Sequence, residues 1–322
     1  MLEEVNAVES ALLQHLLSFD NEFNKRYGAS FPLYKFHRLY EDRTSLSDEE
    51  RQSQLFIENE KKTGFHVLNP FFISLLREHS IWFAPSTQFN DPWDAGGAVS
   101  ILRINAAVEE SILKMLFGEM EFATVSQLPD QERYERIEDN LRDVFSILRF
   151  ACFTKRHDSN PMWAHYADNH RGVCLEFRFM RRPPEESDAA RSGVAYLMDP
   201  EFVGHYAVRY SNDFAQVAAI NDIGSAIQIL HTKHPDWSYE QEVRFIKRGD
   251  PNFPGAGGTV SFYKTSLTKV ILGCKVPRAL WGAIEFLLDE FNYTSTELVR
   301  AEFDHRTQNL KYLAKSRKHE RG

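Results

Sequence analysis

The sequence predicts an α+β fold, with a mixed or mostly antiparallel central sheet and helices on its flanks. Three observations predict it. Helical and strand-like segments interleave along the chain, yet several strand-like segments cluster late instead of alternating one by one with helices. Many of the 25 phenylalanines sit in short β-like runs such as FACF, LEFRF and VRFI, which suit strands packed against helices. The 322 residues are 43% hydrophobic and 26% charged, an ordinary globular balance that can bury a proper core. The expected division is an N-terminal helix over 1–30, one α+β domain over 31–295, and a C-terminal extension with a basic tail over 296–322.

Taken in order, residues 3–27 carry Val5, Leu12, Leu13, Leu16, Phe19 and Phe23 at helical spacing and end at Gly28. A short strand follows Pro32 over Leu33 to Leu39, and the charged stretch 46–63 reads as a helix. Asn69 and Pro70 supply a cap and a first turn for FFISLLREH. A strand from Ile81 to Ala84 breaks at Pro85. Helices are expected near 106–117 and 128–148, the second with Tyr134, Ile137, Leu141, Val144, Phe145 and Leu148 on one face. A buried strand spans Phe150 to Thr154. A short helix is capped by Asn160 and opened by Pro161. Over 172–179, Val173, Leu175, Phe177 and Phe179 alternate as one face of a strand. After a polar loop at 181–193, strands are expected at 205–211, 241–247, 259–263 and 268–273, with helices at 213–231 and 277–292. The GAGG run at 255–258 precedes a strand and not a helix, so it reads as a loop and not a phosphate cradle.

Composition narrows the function classes. No apolar stretch of about 18 residues offers a membrane span, and the acidic start lacks the basic-then-apolar pattern of a secretory signal. Cys152, Cys174 and Cys274 lie in apolar runs, as buried thiols do, and fit a reducing cytoplasm. With 38 basic against 46 acidic residues the chain carries a net −8, which argues against sequence-independent coating of nucleic acid. The basic run from Lys311 to Arg321 is the exception, and reads as a solvated terminus.

Three segments concentrate the residue types that do chemistry. In WSYEQEVRF, a strand over 239–246 sets Glu240, Glu242 and Arg244 on one face, with carboxylates roughly 7 Å apart. Such a pair can stabilise positive charge and take a proton, although a solvated strand face laced with ion pairs has the same pattern. FNDPWD is a turn in which Asn90 and Asp91 precede Pro92. Asp91 and Asp94 together offer oxygen ligands to a hard metal, but without further acidic neighbours no metal site is expected. NPMWAHYADNH sets Met162, Trp163 and Tyr166 on one side of a short helix beside His165. That surface can stack on a nicotinamide or a nucleobase, or simply pack into the core. Serine-nucleophile, Walker and Rossmann patterns are absent.

The order LYKFHRL, IWFAPSTQFNDPWD, CFTKRHDSNPMWAHYADNHRGVCLEF, KHPDWSYEQEVRFIK, LTKVILG resembles the bacterial domain of unknown function family 2971, from about Leu33 to Gly273. A more distant resemblance is to ADP-ribosyltransferases of the arginine–serine–glutamate type. They place a basic residue on a first strand, a Ser/Thr on a later one and a Glu-x-Glu near the end. That resemblance implies an ADP-ribosyltransferase-like fold with NAD as substrate. Lys35, His37 or Arg38 would be the basic residue, Thr154 the second motif, and Glu240-Gln241-Glu242 the third. Glu242 would then stabilise the ribosyl cation, Glu240 would position a protein, nucleic-acid or water acceptor, and Trp163 or Tyr166 would stack on nicotinamide. The sequence departs from the pattern at Cys152-Phe153-Thr154, where a Ser-Thr-Ser run is expected. Two other classes compete. One is a metal-dependent nuclease or hydrolase using Asp91, Asp94, His165 and Glu242. The other is a non-enzymatic sensor or partner-binding module in phage defence, docking through the N-terminal helix and the acidic 130–143 helix.

Overall fold

The computed structural model describes residues 32–314 apart from 54, 60, 92–93, 96–102, 105–108, 180–201, 213–218, 221–227, 251 and 254. The expected N-terminal helix, the loop at 181–193 and most of the basic tail lie outside the described residues. Short strands and turns open the described chain: β1 (Leu33–His37), β2 (Tyr40–Arg43), helix α1 (Asp48–Ser53), β3 (Phe56–Glu58) and β4 (Phe65–Leu68). The helix expected over 46–63 is thus only six residues long. Beyond it the apolar Leu55-Phe56-Ile57 run pairs with β4 in a small β2-β4-β3 sheet, because its side chains suit a strand better than another helical turn. Helix α2 (Pro70–Arg77) starts as read: the Asn69 side chain accepts the Phe71 N–H and Pro70 fills the first turn.

Strands β5 (Ser80–Pro85) and β6 (Arg103–Ile104) precede α3 (Glu109–Val125), which breaks at Gly118 with φ 69°. Helix α4 (Asp130–Ser146) buries Ile137, Leu141 and Phe145, and β7 (Leu148–Thr154) follows. In α5 (Asn160–Tyr166) the capping position falls on Ser159 and not Asn160, with no side-chain cap bond. Then come β8 (Val173–Phe177), β9 (Phe202–Ala207), β10 (Arg209–Tyr210), β11 (Ala219–Ile220), β12 (Thr232–Lys233), β13 (Glu242–Arg248), β14 (Gly258–Ser261) and β15 (Leu267–Leu272). Helix α6 (Arg278–Glu290) leads to β16 (Glu297–Asp304) and β17 (Asn309–Ala314). Of the helix expected over 213–231, Gln228 is helical, but the other described residues depart from it. Ala219–Ile220 pairs with β6, and Ile229–His231 is a single 3₁₀ turn.

The fold is α+β. Its large sheet runs β14-β5-β7-β1-β8-β15-β16-β17, with β13 paired to β7 and β9 beyond the path. All pairings in it are antiparallel except β15 with β16, whose connection is the crossover helix α6. Strand β7 organises one end: β13 pairs along its whole length, β1 meets it at Tyr34–Thr154, and β5 at Ala84–Phe150. Val173, Leu175, Phe177 and Phe179 share one core with Val243, Phe245 and helices α2 and α6. The opposite faces of β7 and β13 give Phe150 and Ile246 to a second core under α3 and α4.

Chain reversal after α5 is tightly packed. Asp168, Asn169 and His170 all adopt positive φ, at 46°, 52° and 70°, and backbone bonds from Asn169 to Ala164 and from His170 to Trp163 hold them. A Cβ at Gly172 would lie 2.2 Å from the His37 carbonyl oxygen and 2.8 Å from the Ala167 Cα. Gly172→Ala is therefore expected to lower stability by about 1–3 kcal/mol. Gly282, inside α6 with nothing within 4 Å of an added Cβ, should instead gain about 0.5–1 kcal/mol on substitution by alanine. Denaturant unfolding of the two variants beside the wild type checks both signs.

Candidate functional site

The segment that ends in Glu240 and Glu242 does not lie on one strand. His234 accepts the Asp236 N–H, Pro235 sets the first turn, and Pro235–Glu240 winds as a 3₁₀ helix. Gln241 then takes a left-handed conformation, φ 42° and ψ 50°, and reverses the chain so that β13 starts at Glu242. The strand expected from residue 239 is corrected on this point. The two carboxylates meet because the backbone turns between them, not because they are two apart on a pleat. From Glu242 onward the expected alternation holds: Val243 and Phe245 enter the core, and Arg244 shares a face with Glu242.

These side chains belong to a buried ionic cluster. Arg244 grips Glu242 with two bonds, Nε to Oε1 at 2.9 Å and Nη2 to Oε2 at 3.1 Å. The same guanidinium reaches Asp94 at 2.9 Å and donates to the Leu230 carbonyl at 2.5 Å. The Lys233 amine stands among three carboxylates, 2.7 Å from Glu240, 3.2 Å from Asp94 and 3.4 Å from Glu242. None of these five side chains is more than 5% exposed. A chain of hydrogen bonds leads outward: Tyr166 donates to Glu240 at 2.5 Å, and exposed Asn90 donates to the Tyr166 hydroxyl at 3.1 Å.

The three segments singled out in the sequence therefore converge. FNDPWD contributes Asn90 and Asp94, NPMWAHYADNH contributes Tyr166, and WSYEQEVR contributes Glu240, Glu242 and Arg244. Asp91 is buried in the turn, its carbonyl accepting the Asp94 N–H at 3.1 Å. Sequence reasoning missed Lys233, which is central to the cluster. A lysine seven residues before Glu240, just ahead of the turn marked by Pro235, was the signal available. Around Glu240 lies an aromatic rim in which His165 neighbours Tyr166 at 6.5 Å and Tyr239 at 6.2 Å, and Tyr239 neighbours Trp237 at 6.2 Å. The Lys233 amine sits 4.8 Å over the Trp237 ring.

Trp163, expected as a stacking wall, is fully buried. Phe36 meets its ring edge-on at 5.0 Å, His170 stacks on it at 6.0 Å, and its Nε1 donates to the His157 carbonyl. No ligand ring can reach it in this packing. Thr154 is paired with Glu242 on one side and Tyr34 on the other, so β1, β7 and β13 are neighbours. The Thr154 hydroxyl accepts the Arg156 N–H, and the Lys35 amine donates to the Cys152 carbonyl at 3.0 Å above the Phe153 ring. Burial lowers the pKa of Lys35, and burial with Lys35 alongside lowers that of His37 to about 3. Arg38 is exposed.

Electrostatics divide the two glutamates. Burial pushes Glu242 up, but Arg244 and Lys233 outweigh it and hold the carboxyl at about 2, below its ordinary 4.5. Burial raises Glu240, and Lys233 and Tyr166 do not fully pull it back. Lys233 is raised: burial opposes its charge, and Glu242, Asp94 and Glu240 overcome that cost. Among the described residues no group of three or more His, Cys, Asp and Glu is arranged to hold a metal. Within the cluster, the space between the carboxylates is filled by an ammonium and a guanidinium. Nor is any helix of the described residues long and apolar enough to cross a membrane.

The family described as "Protein of unknown function (DUF2971)" matches residues 162–245. That stretch is about a quarter of the chain and contains Tyr166, Lys233, Glu240, Glu242 and Arg244. No curated protein matches, and no solved structure matches.

Two outcomes follow from the cluster. Arg244→Met strands the buried Glu242 and Asp94 carboxylates and is expected to cost about 3–5 kcal/mol in chemical denaturation. A carboxylate whose pKa is depressed on folding stabilises above its unfolded value, and that contribution is lost as pH falls through the folded value. Melts of the wild type should accordingly show Glu242's contribution intact above about 4.5 and fading toward about 2, with a flatter acid limb in Arg244→Met.

Proposed function

We propose that the chain is an NAD-consuming enzyme, a glycohydrolase or ADP-ribosyltransferase, working at Glu240 above the Glu242–Arg244–Lys233–Asp94 cluster. One observation carries the reading: a continuous hydrogen-bonded path from exposed Asn90 through Tyr166 and Glu240 to Lys233 and Glu242. A surface group, an aromatic rim and a buried carboxylate of raised pKa thus meet at one place, the combination that marks a reactive site in a fold otherwise packed for stability. The neighbouring positions of Lys35, Thr154 and Glu242 on β1, β7 and β13 support the same reading.

The chemistry asked of the site is modest. The bond from the ribose anomeric carbon to the nicotinamide nitrogen breaks, and its electron pair neutralises the pyridinium. An oxygen of water or of an acceptor hydroxyl forms the new bond, and its proton goes to Glu240. The positive charge that develops on the ribose faces a cluster with three carboxylates against two cations, one negative charge in excess. Glu242 contributes from beneath, since both its oxygens are already held by Arg244. Tyr239, Tyr166 and His165 supply ring faces for nicotinamide. The burial of every charged member favours a second reading, in which the cluster is a polar core of a non-enzymatic module.

Purified protein incubated with NAD is expected to release free nicotinamide, measured chromatographically. Glu240→Gln should lower the rate at least a hundredfold while the melting temperature stays within a few degrees. No release from well-folded wild type, with water or with added acceptor proteins and nucleic acids, sinks the enzymatic reading and leaves the polar-core one. A metal-dependent hydrolase predicts a melting temperature that responds to Mg²⁺ or to EDTA. Here no response is expected, because Lys233 already satisfies the carboxylates.

A further inference from the structure

Strand β1 carries a lysine of a different kind from Lys233. Side chains alternate along it: Tyr34 and Phe36 join the core beneath α5, while Leu33 lies in the core shared with α2 and α6. Lys35 and His37 fall on the Leu33 face, two residues apart, so both project the same way. In the β1–β8 register Lys35 stands opposite Leu175 and His37 opposite Val173, both fully buried. Two basic side chains thus enter an apolar layer.

The sheet makes room for them. Strand β7 takes β5 at Arg149 and Phe150 and β1 at Thr154, so β1 and β5 diverge over the stretch between. The Cys152 carbonyl lies in that gap and accepts the Lys35 amine at 3.0 Å, and the Phe153 ring faces the same amine at 5.3 Å. Among the described residues no carboxylate forms an ion pair with Lys35. That separates it from Lys233, which three carboxylates keep charged. Burial favours the neutral amine at Lys35 and outweighs the opposing pull of Cys152 and Glu242. A neutral amine can donate one N–H to the Cys152 carbonyl and keep its lone pair for another partner. Burial, with Lys35 alongside, also keeps His37 neutral. Its Nε2 is buried without a hydrogen-bond partner, a costly arrangement that a reacting group would relieve. Both side chains are half-buried and keep part of their surface in solvent.

We infer that Lys35 is a nucleophilic amine that condenses with a small aldehyde, with His37 beside it as proton carrier. The amine nitrogen attacks the carbonyl carbon, the C=O double bond opens, and one N–H proton passes through His37 to the new oxygen, giving a carbinolamine. The hydroxyl then leaves as water, taking the second N–H proton by the same route, and the C=N bond of an imine forms. Both protons of the amine end on the water, so no further reactant is needed. A short apolar chain on the aldehyde suits the surroundings, where Phe153 and Leu175 are buried beside the amine. No residue of the Glu240 site takes part, and the inference does not depend on the reaction proposed there.

Treating the full chain with propanal and then borohydride tests it, because borohydride reduces an imine to a stable propylated amine that peptide mass spectrometry locates. At pH 7 Lys35 should be propylated about tenfold faster or more than Lys62, which is exposed in a turn, since each pKa unit by which burial lowers an amine raises its neutral fraction about tenfold. His37→Gln should slow labelling of Lys35 by about tenfold or more and leave Lys62 unchanged, with a melting temperature close to that of the wild type. His37→Asn takes its place if the first variant folds poorly. The inference is overturned if Lys35 in the wild type reacts no faster than Lys62, or if Lys35 reacts as fast in a folded His37 variant as in the wild type.

Discussion

Arg244 is the group on which the arrangement of the site depends. Its guanidinium is entirely buried and joins Glu242, Asp94 and the Leu230 carbonyl. Those partners come from β13, from the turn after β5 and from the segment before β12. A buried ion is tolerated only when its hydrogen-bonding capacity is met, and the planar fork of an arginine meets a carboxylate with two bonds at once. Lysine cannot replicate that geometry, which is why the two cations of the cluster have different tasks. Arg244 pins Glu242 side-on, whereas the compact Lys233 ammonium spreads its charge over three carboxylates.

The consequence is a site built in layers of decreasing rigidity. Glu242 and Arg244 are locked in the sheet between β7 and β9. Glu240 hangs from the 3₁₀ turn above them and depends on Lys233 and Tyr166 for its partners. Tyr166 depends in turn on α5, which is seated by Trp163 in the core. A ligand that displaced the Tyr166 hydroxyl would reach Glu240 without disturbing the Glu242–Arg244 fork. The division of pKa behaviour matches that layering. The lower carboxylate is held ionised by two cations, while the upper one is partly deprived of solvent and more ready to take a proton.

Much of this was legible in the sequence where period and turn chemistry agree. Asn69-Pro70 marks a helix start because a cap and a fixed φ act locally, and FNDPWD reads as a turn for the same reason. The alternation of Val173, Leu175 and Phe177 locates one face of β8. The opposite face is equally buried, since helix α5 and its core lie beyond it, so a face that reads as polar through Glu176 is in fact interior. The break at Gln241 was not legible: glutamine carries no preference for positive φ, and only the tertiary fit of Glu240 to Lys233 imposes it. Nor was the role of Trp163. A tryptophan beside a tyrosine and a histidine has the same pattern whether it stacks on a ligand or on Phe36 and His170. The pairing of Asp94 with Arg244 joins residues 150 apart, a separation at which local pattern carries no information.

Net charge was the least informative feature read from the sequence, and β13 explains why. EVRFIKR begins with the carboxylate of an acidic cluster and ends with two cations, all within seven residues. A sum over the chain cancels that gradient, whereas a ligand feels only the charges within reach. At physiological ionic strength solvent screens charges beyond about 8 Å, and the two ends of β13 are about 20 Å apart along the strand. Through solvent, neither end senses the other. Any influence of one on the other must pass through the strand itself, from Glu242 and Arg244 to the Lys247–Arg149 pair by way of the packed Phe245 and Ile246. Those two side chains belong to different cores, Phe245 to the one beneath α2 and α6 and Ile246 to the one beneath α3 and α4. A shift of β13 along its axis would have to break both at once, so the packing fixes the strand in register along its length.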